Sequence, residues 1–185
     1  MCSSDLAPLG VRPRTIEFDM PRWPVSRSRV GEWFAAMRFD AAPVVLNPGA
    51  GWRSKLWPVD RFAAVARGVA ARHGLRSLVV WGGAEERIAA ERIVAAADGT
   101  AVMAPPTTLQ DLGEVCRLAR IFISSDTGPL HLAAAIGTPC VGLFGPVPAE
   151  RNGPYGPQHV SVEPPASLRP AWEDRKTDKI GRAHV

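Results

Sequence analysis

The sequence predicts an α/β domain built on a parallel sheet with helices on both faces. Three observations carry this. From Pro43 onward, short apolar runs alternate with longer segments of helical periodicity. The runs are apolar at consecutive positions, as strands buried on both faces require. Each run also ends in glycine, proline or small polar residues, which mark turns.

Val44-Val45-Leu46 is the first run, and Asn47-Pro48-Gly49 turns the chain at its end. The spacing predicts a helix from Pro58 to His73, with Phe62, Val65, Ala66 and Val69 on one face and Gly74 as its stop. Ser77 to Trp81 is a second strand, ended by Gly82-Gly83. Ala84 to Ala97 is a second helix, with Ile88, Ile93 and Val94 as core positions. A third strand spans Ala101 to Met103. Thr108-Leu109-Gln110-Asp111 has the form of a capping box and opens a helix to Ala119. Ile121 to Ile123 is a fourth strand, Leu130 to Ile136 a short helix closed by Gly137, and Val141 to Phe144 a fifth strand. His159 to Val162 adds a sixth. Open parallel sheets bind ligands outside the carboxyl ends of their strands. The loops to inspect are therefore Asn47–Trp57, Gly82–Glu86, Ala104–Thr107, Ser124–Leu130 and Gly145–Gly156.

The segment from Ala7 to Ala42 contains Pro8, Pro13, Pro21 and Pro24 and reads as linker. One extended piece is expected at Thr15 to Met20 and a short helix at Glu32 to Arg38. The whole chain, at 185 residues with 46% hydrophobic and 22% charged residues, has the composition of one ordinary globular domain with appendages. No apolar run has the length that crosses a bilayer, and no apolar stretch follows the start as in a signal peptide. The formal net charge of +4 is mild. Arg12, Arg14, Arg22, Arg27 and Arg29 crowd the beginning without forming a block. They fit a solvated face or attraction to an anionic lipid or acceptor. No basic and aromatic module for nucleic acid is present. Cys2, Cys116 and Cys140 have neither CxxC spacing nor histidine neighbours, so no metal site is expected. Cys116 and Cys140 lie in apolar contexts and read as small buried hydrophobes.

The two ends are expected to be foreign. Cys2-Ser3-Ser4-Asp5-Leu6 can be encoded by TGC TCT TCC GAT CT. The reverse complement of that string encodes Lys179-Ile180-Gly181-Arg182-Ala183. An inverted repeat at both ends of one reading frame has the form of sequencing-library adapter. Residues 1–6 and 179–185 are accordingly set aside, leaving natural sequence from Ala7 to Asp178.

Three segments carry the chemistry. Ser124-Ser125-Asp126-Thr127-Gly128-Pro129-Leu130-His131 follows a strand and opens a helix. Gly128 permits close backbone approach, Pro129 suits a first helical turn, and free N–H groups there attract anions. Asp126 and Thr127 fit hydrogen bonding to sugar hydroxyls or simple helix capping. His131 fits a ligand contact or a satisfied core histidine. In Asn47-Pro48-Gly49-Ala50-Gly51-Trp52-Arg53-Ser54-Lys55, two glycines and a lysine precede a helix start, an arrangement that can cradle a diphosphate. The GxxxxGK[ST] spacing is absent, and Lys55 also fits a solvated surface charge. In Trp81-Gly82-Gly83-Ala84-Glu85-Glu86, a carboxylate just past a strand end can bind ribose hydroxyls or merely favour the helix dipole.

Taken together, Lys55-x-Trp57-Pro58, the Ser125 to His131 stretch, Gly137-Thr138-Pro139, Phe144-Gly145-Pro146 and Gly153-Pro154-Tyr155-Gly156-Pro157 resemble glycosyltransferase family nine, which includes the ADP-heptose:lipopolysaccharide heptosyltransferases. The resemblance covers Pro43 to about Val162. It implies a Rossmann-like domain, the C-terminal half of a GT-B two-domain glycosyltransferase. Residues 7–42 would be interdomain linker, 43–162 the nucleotide-sugar-binding domain and 163–178 a truncated C-terminal segment. It implies a donor such as ADP-heptose, a lipid-linked lipopolysaccharide-core acceptor and a cytoplasmic location at the inner face of the bacterial inner membrane, in contact with anionic lipid. No cofactor or metal is implied, since no DxD motif occurs. Lys55 would stabilise the leaving diphosphate. Asn47, Gly49, Lys55, Glu85 or Glu86, Asp126, Thr127, Gly128, Pro129 and His131 would bind the donor. The catalytic base would lie in the other domain. Transfer of another sugar to a different envelope glycan, or a non-catalytic nucleotide-binding module, are the alternatives.

Overall fold

A computed structural model of the chain describes residues 17–165 and residue 167. Its elements run α1 (Pro24–Ala36), β1 (Val44–Asn47), α2 (Val59–His73), β2 (Ser77–Val79), α3 (Ala84–Ala96), β3 (Ala101–Met103), α4 (Leu109–Leu118), β4 (Ile121–Ser125), α5 (Gly128–Ile136), β5 (Cys140–Leu143), α6 (Ala149–Asn152) and β6 (Val160–Val162). All six strands are parallel, in the order β3-β2-β1-β4-β5-β6. The expected parallel sheet with helices on both faces is what forms, and its strand order is that of the doubly wound dinucleotide-binding folds.

The two-faced apolar pattern of the strands has a direct structural reading. Successive side chains of a strand point to opposite faces. Val45, Leu78 and Phe122 pack beneath α4 and α5 with Val115 and Leu130. Val44, Leu46, Val79 and Ile123 pack beneath α2 and α3 with Phe62, Ala66 and Ile93. α2 and α5 stop at the glycines that the sequence marks as their ends. Gly74 and Gly137 take left-handed conformations, with φ of 66° and 92°, and close α2 and α5. Thr108 and Asp111 form the expected capping box: the Asp111 N–H donates to Thr108 Oγ1 (3.2 Å) and the Thr108 N–H to Asp111 Oδ2 (2.9 Å).

Several boundaries differ from expectation. β2 ends at Val79, and Trp81 leaves the ladder to donate its indole N–H to the Ala104 carbonyl at 2.8 Å. β4 runs on to Ser125 and α5 begins at Gly128. Ile88 is 57% exposed and is not a core residue; Ala90 and Ile93 occupy the buried face of α3 instead. The short helix α6 was not expected, since four residues carry no periodicity. Cys116 and Cys140 are buried, free thiols, and burial raises both pKa values, that of Cys140 to about 12. Cys2, the segments read as foreign and most of 163–178 lie outside the described residues.

The largest correction concerns the beginning. The helix expected at Glu32 to Arg38 starts at Pro24 and ends at Ala36, and Glu17 to Met20 form no strand. Its sequence carries no apolar stripe, so no period announces it. Val30 is its one fully buried apolar residue, worth roughly 1.5–3 kcal/mol. Fixing backbone costs about 1–2 kcal/mol per residue, so Val30 cannot hold α1 by itself. Trp33 and Phe34 add partial burial, and a polar seam with α4 completes the docking. Arg29 forms a short ion pair with Asp111. Glu114, fully buried, accepts the Trp23 N–H at 3.1 Å and lies 3.5 Å from Arg27 and 3.4 Å from Arg117. Gly113 leaves room for the Trp23 ring, which a Cβ there would strike. Arg27 and Arg29 are therefore ion-paired within the domain.

Burial alone would raise the Asp111 carboxyl pKa. The Arg29 guanidinium and the Thr108 donors reverse this and hold it at about 2. Its folded pKa thus lies below its unfolded value, so its contribution is complete above the unfolded pKa and fades as pH falls toward 2. Asp111→Asn should cost about 1–3 kcal/mol at neutral pH. In urea unfolding across a pH series, the gap to the native chain should narrow between about pH 4 and pH 2. A gap independent of pH would show that the ionised pair does not hold α1.

Candidate functional site

The strand order reverses between β1 and β4. Beyond β1 the chain proceeds through α2 and α3 on one face; beyond β4 it proceeds through α5 on the other. The divergence opens a crevice at the carboxyl ends of these strands, where such folds receive ligands. A cleft of about 410 Å³ lies there.

Asn47, the last residue of β1, sits in register with Ser124 of β4. Its side-chain N–H₂ donates to Ser124 Oγ at 3.0 Å and to Thr127 Oγ1 at 3.3 Å. The two hydroxyl oxygens are themselves 2.9 Å apart. Asn47 and Ser124 are buried, where unpaired polar groups would be costly, so this cluster satisfies itself. Thr127 also caps α5 by accepting the Leu130 N–H at 3.4 Å. Gly128 and Pro129 follow in the first turn, lining the cleft. The Gly128 N–H faces no carbonyl of its own helix, and the helix dipole adds positive potential there.

Asp126 stands beside this cap and is nearly buried. Lys55 Nζ donates to its Oδ2 at 2.6 Å, and the Asn152 side chain donates to the same oxygen at 3.1 Å. His131 Nε2 lies 3.4 Å from Oδ1. Burial would raise the Asp126 carboxyl, but the His131, Lys55 and Asn152 contacts outweigh it and hold the pKa at about 2. Lys55 reaches Asp126 from a single 3-10 turn, Arg53–Lys55, in the loop after β1. Its side chain is 13% exposed, and its ammonium sits 4.3 Å from the centre of the Trp52 ring.

Glu86, in the first turn of α3, forms the remaining wall. Its carboxylate accepts the Gly82 N–H at 2.7 Å and packs on Gly49, where a Cβ would collide with it. Gly49 thus admits Glu86 to the cleft. Glu85 is exposed and does not line the cleft. The structure accordingly brings together Asn47, Lys55, Glu86, Asp126, Thr127, Gly128, Pro129 and His131, with Gly49 behind Glu86. Sequence reasoning missed Ser124, Trp52 and Asn152. Ser124 and Trp52 lay inside segments already singled out, and Asn152 inside the loop after β5, but no spacing distinguishes them from their neighbours. Among the described residues, no cluster of histidine, cysteine, aspartate and glutamate is arranged to hold a metal ion.

The sequence model of glycosyltransferase family 9 (heptosyltransferase) matches residues 16–181. The chain belongs to glycosyltransferase family 9. Among curated relatives of this family-9 chain, lipopolysaccharide heptosyltransferase 1 of Pseudomonas aeruginosa is 33% identical over 149 residues, 75% of this chain and 41% of that protein. Lipopolysaccharide heptosyltransferase 3 of Escherichia coli is 30% identical over 145 residues, 77% of this chain and 42% of that protein. The chain therefore spans less than half the length of these relatives. The fold is shared with the family 9 glycosyl transferase from Veillonella parvula (TM-score 0.75, 21% identity, 86% of this chain and 47% of that one). It is shared also with E. coli heptosyltransferase WaaC with ADP (TM-score 0.65, 23% identity, 88% and 48%). Among the described residues, no helix is long and apolar enough to cross a membrane.

Asn47→Ala should break the tie between the ends of β1 and β4 and leave Ser124 short of a donor. The expected loss is about 1–3 kcal/mol in urea unfolding. A variant as stable as the native chain would mean that the crevice is not held by this cluster.

Proposed function

We propose that residues 43–162 are the sugar-nucleotide-binding domain of an enzyme that transfers a heptose from ADP-heptose to a lipopolysaccharide-core acceptor. The observation that carries this is the convergence of Lys55, Asp126 and the α5 N-terminus at the crevice between β1 and β4. A cation and a helix N-terminus together suit a diphosphate. Asp126 and Glu86 offer carboxylates to hydroxyls, Asp126 to the sugar and Glu86 to the ribose. Membership of the family and the heptosyltransferase names of the curated relatives support the same reading.

In the reaction, an acceptor hydroxyl attacks the anomeric carbon of the donor. The bond from that carbon to the diphosphate oxygen breaks, and its electron pair leaves with the diphosphate. The hydroxyl proton passes to a base from the other domain of the two-domain fold. Lys55 and the Gly128 N–H at the start of α5 stabilise the negative charge that grows on the leaving group. Because the acceptor is lipid-linked, the whole enzyme works at the cytoplasmic face of the inner membrane, against anionic lipid.

Lys55 and Asp126 are hydrogen-bonded to each other but serve different parts of the donor. Lys55→Ala should weaken ADP binding by roughly 1.5–3 kcal/mol, the scale of one charge-assisted hydrogen bond. Asp126→Ala should weaken ADP-heptose more than ADP. Calorimetry with both ligands on both variants separates the roles. Normal ADP affinity in Lys55→Ala overturns the diphosphate assignment. An Asp126→Ala variant that melts earlier but binds ADP-heptose normally reduces Asp126 to a structural residue.

A further inference from the structure

Trp52 is half exposed, belongs to neither hydrophobic cluster and is not among the side chains lining the cleft. A large aromatic side chain with no core to fill needs another account. The ring centre lies 4.3 Å from the Lys55 ammonium. The backbone enforces the meeting: the Lys55 N–H donates to the Trp52 carbonyl at 3.0 Å, closing the 3-10 turn that carries both residues.

We infer that Trp52 is a positioning residue that holds the Lys55 ammonium at the phosphate end of the cleft. The inference rests on the donor-site reading above. A lysine head on a flexible stem binds an anion less well when it must first be ordered. The indole face orders it without cancelling its charge, because the attraction comes from the ring quadrupole. An ammonium has three N–H donors. Asp126 takes one at 2.6 Å, the indole covers another side, and the cleft is left for the third. The low exposure of Lys55, 13% against 48% for Trp52, fits a ring that shields the ammonium from water.

The test is ADP titration calorimetry on the 185-residue chain and on Trp52→Leu, Trp52→Phe, Lys55→Ala and the Trp52→Leu/Lys55→Ala double variant. Leucine keeps an apolar side chain but has no π face. Trp52→Leu should weaken ADP roughly fivefold, and Trp52→Phe should stay within about twofold of the native chain. In the Lys55→Ala background the leucine substitution should have no further effect, as expected when one residue acts through another. An equal loss from Trp52→Leu with or without Lys55 overturns the proposal, as does native affinity in Trp52→Leu. If Lys55→Ala itself binds ADP normally, the donor-site reading fails at its root. A failure confined to Trp52→Leu leaves that reading standing.

Discussion

The hydrogen bonds from Asn47 to Ser124 and Thr127 join the ends of the two central strands at the place where the chain diverges. Helices on opposite faces cannot cover that gap, so polar groups at the strand ends face a crevice. They must satisfy one another or a ligand. Asn47 does this for Ser124 of β4 and for Thr127, the cap of α5. Thr127 then sets where the α5 N-terminus points, and Asp126, one residue earlier, is delivered to the cleft floor. Lys55 and Asn152, from the loops after β1 and β5, close on Asp126 from two sides.

Charge is handled in the same manner at two places. A nearly buried carboxylate is costly unless its oxygens are met by donors. Asp126 has Lys55, Asn152 and His131; Glu114 accepts the Trp23 N–H on one oxygen, while Arg27 and Arg117 balance its charge as ion-pair neighbours without a hydrogen bond to the other oxygen. At Glu114 the result is a polar tie between α4 and the start of α1, beside the apolar packing of Val30, Trp33 and Phe34. At Asp126 the result is an ionised group at neutral pH that orients Lys55. The cleft thereby gathers a lysine, a helix N-terminus and the Asp126 and Glu86 carboxylates, with the Trp52 ring against the lysine.

β1 to β5, α2, α4 and α5 were legible because each writes its burial into the local sequence. Phe62 and Ala66 repeat at helical spacing, and Gly74 and Gly137 stand where only a left-handed residue ends a helix cleanly. α1 was misread because its docking is polar and its partners lie far along the chain; Arg29 and Asp111 are 82 positions apart. Ile88 was misread because α3 turns Ala90 and Ile93 inward instead. Of the site, the glycine-rich loops and the strand-to-helix segment were visible from residue type alone. Between Glu85 and Glu86, the choice waited on the direction of α3 and on the space at Gly49.

The sequence by itself determined the alternation of strand and helix, the burial of the sheet on both faces, the helix stops and the family. These properties depend on residue types within a few positions of one another. Only the tertiary structure decided that Lys55 and Asp126, 71 positions apart, share a hydrogen bond, that Asn152 joins them and that Trp52 backs the lysine. Those contacts follow from strand order and loop path. No local period carries that information, because it arises from the packing of the whole sheet.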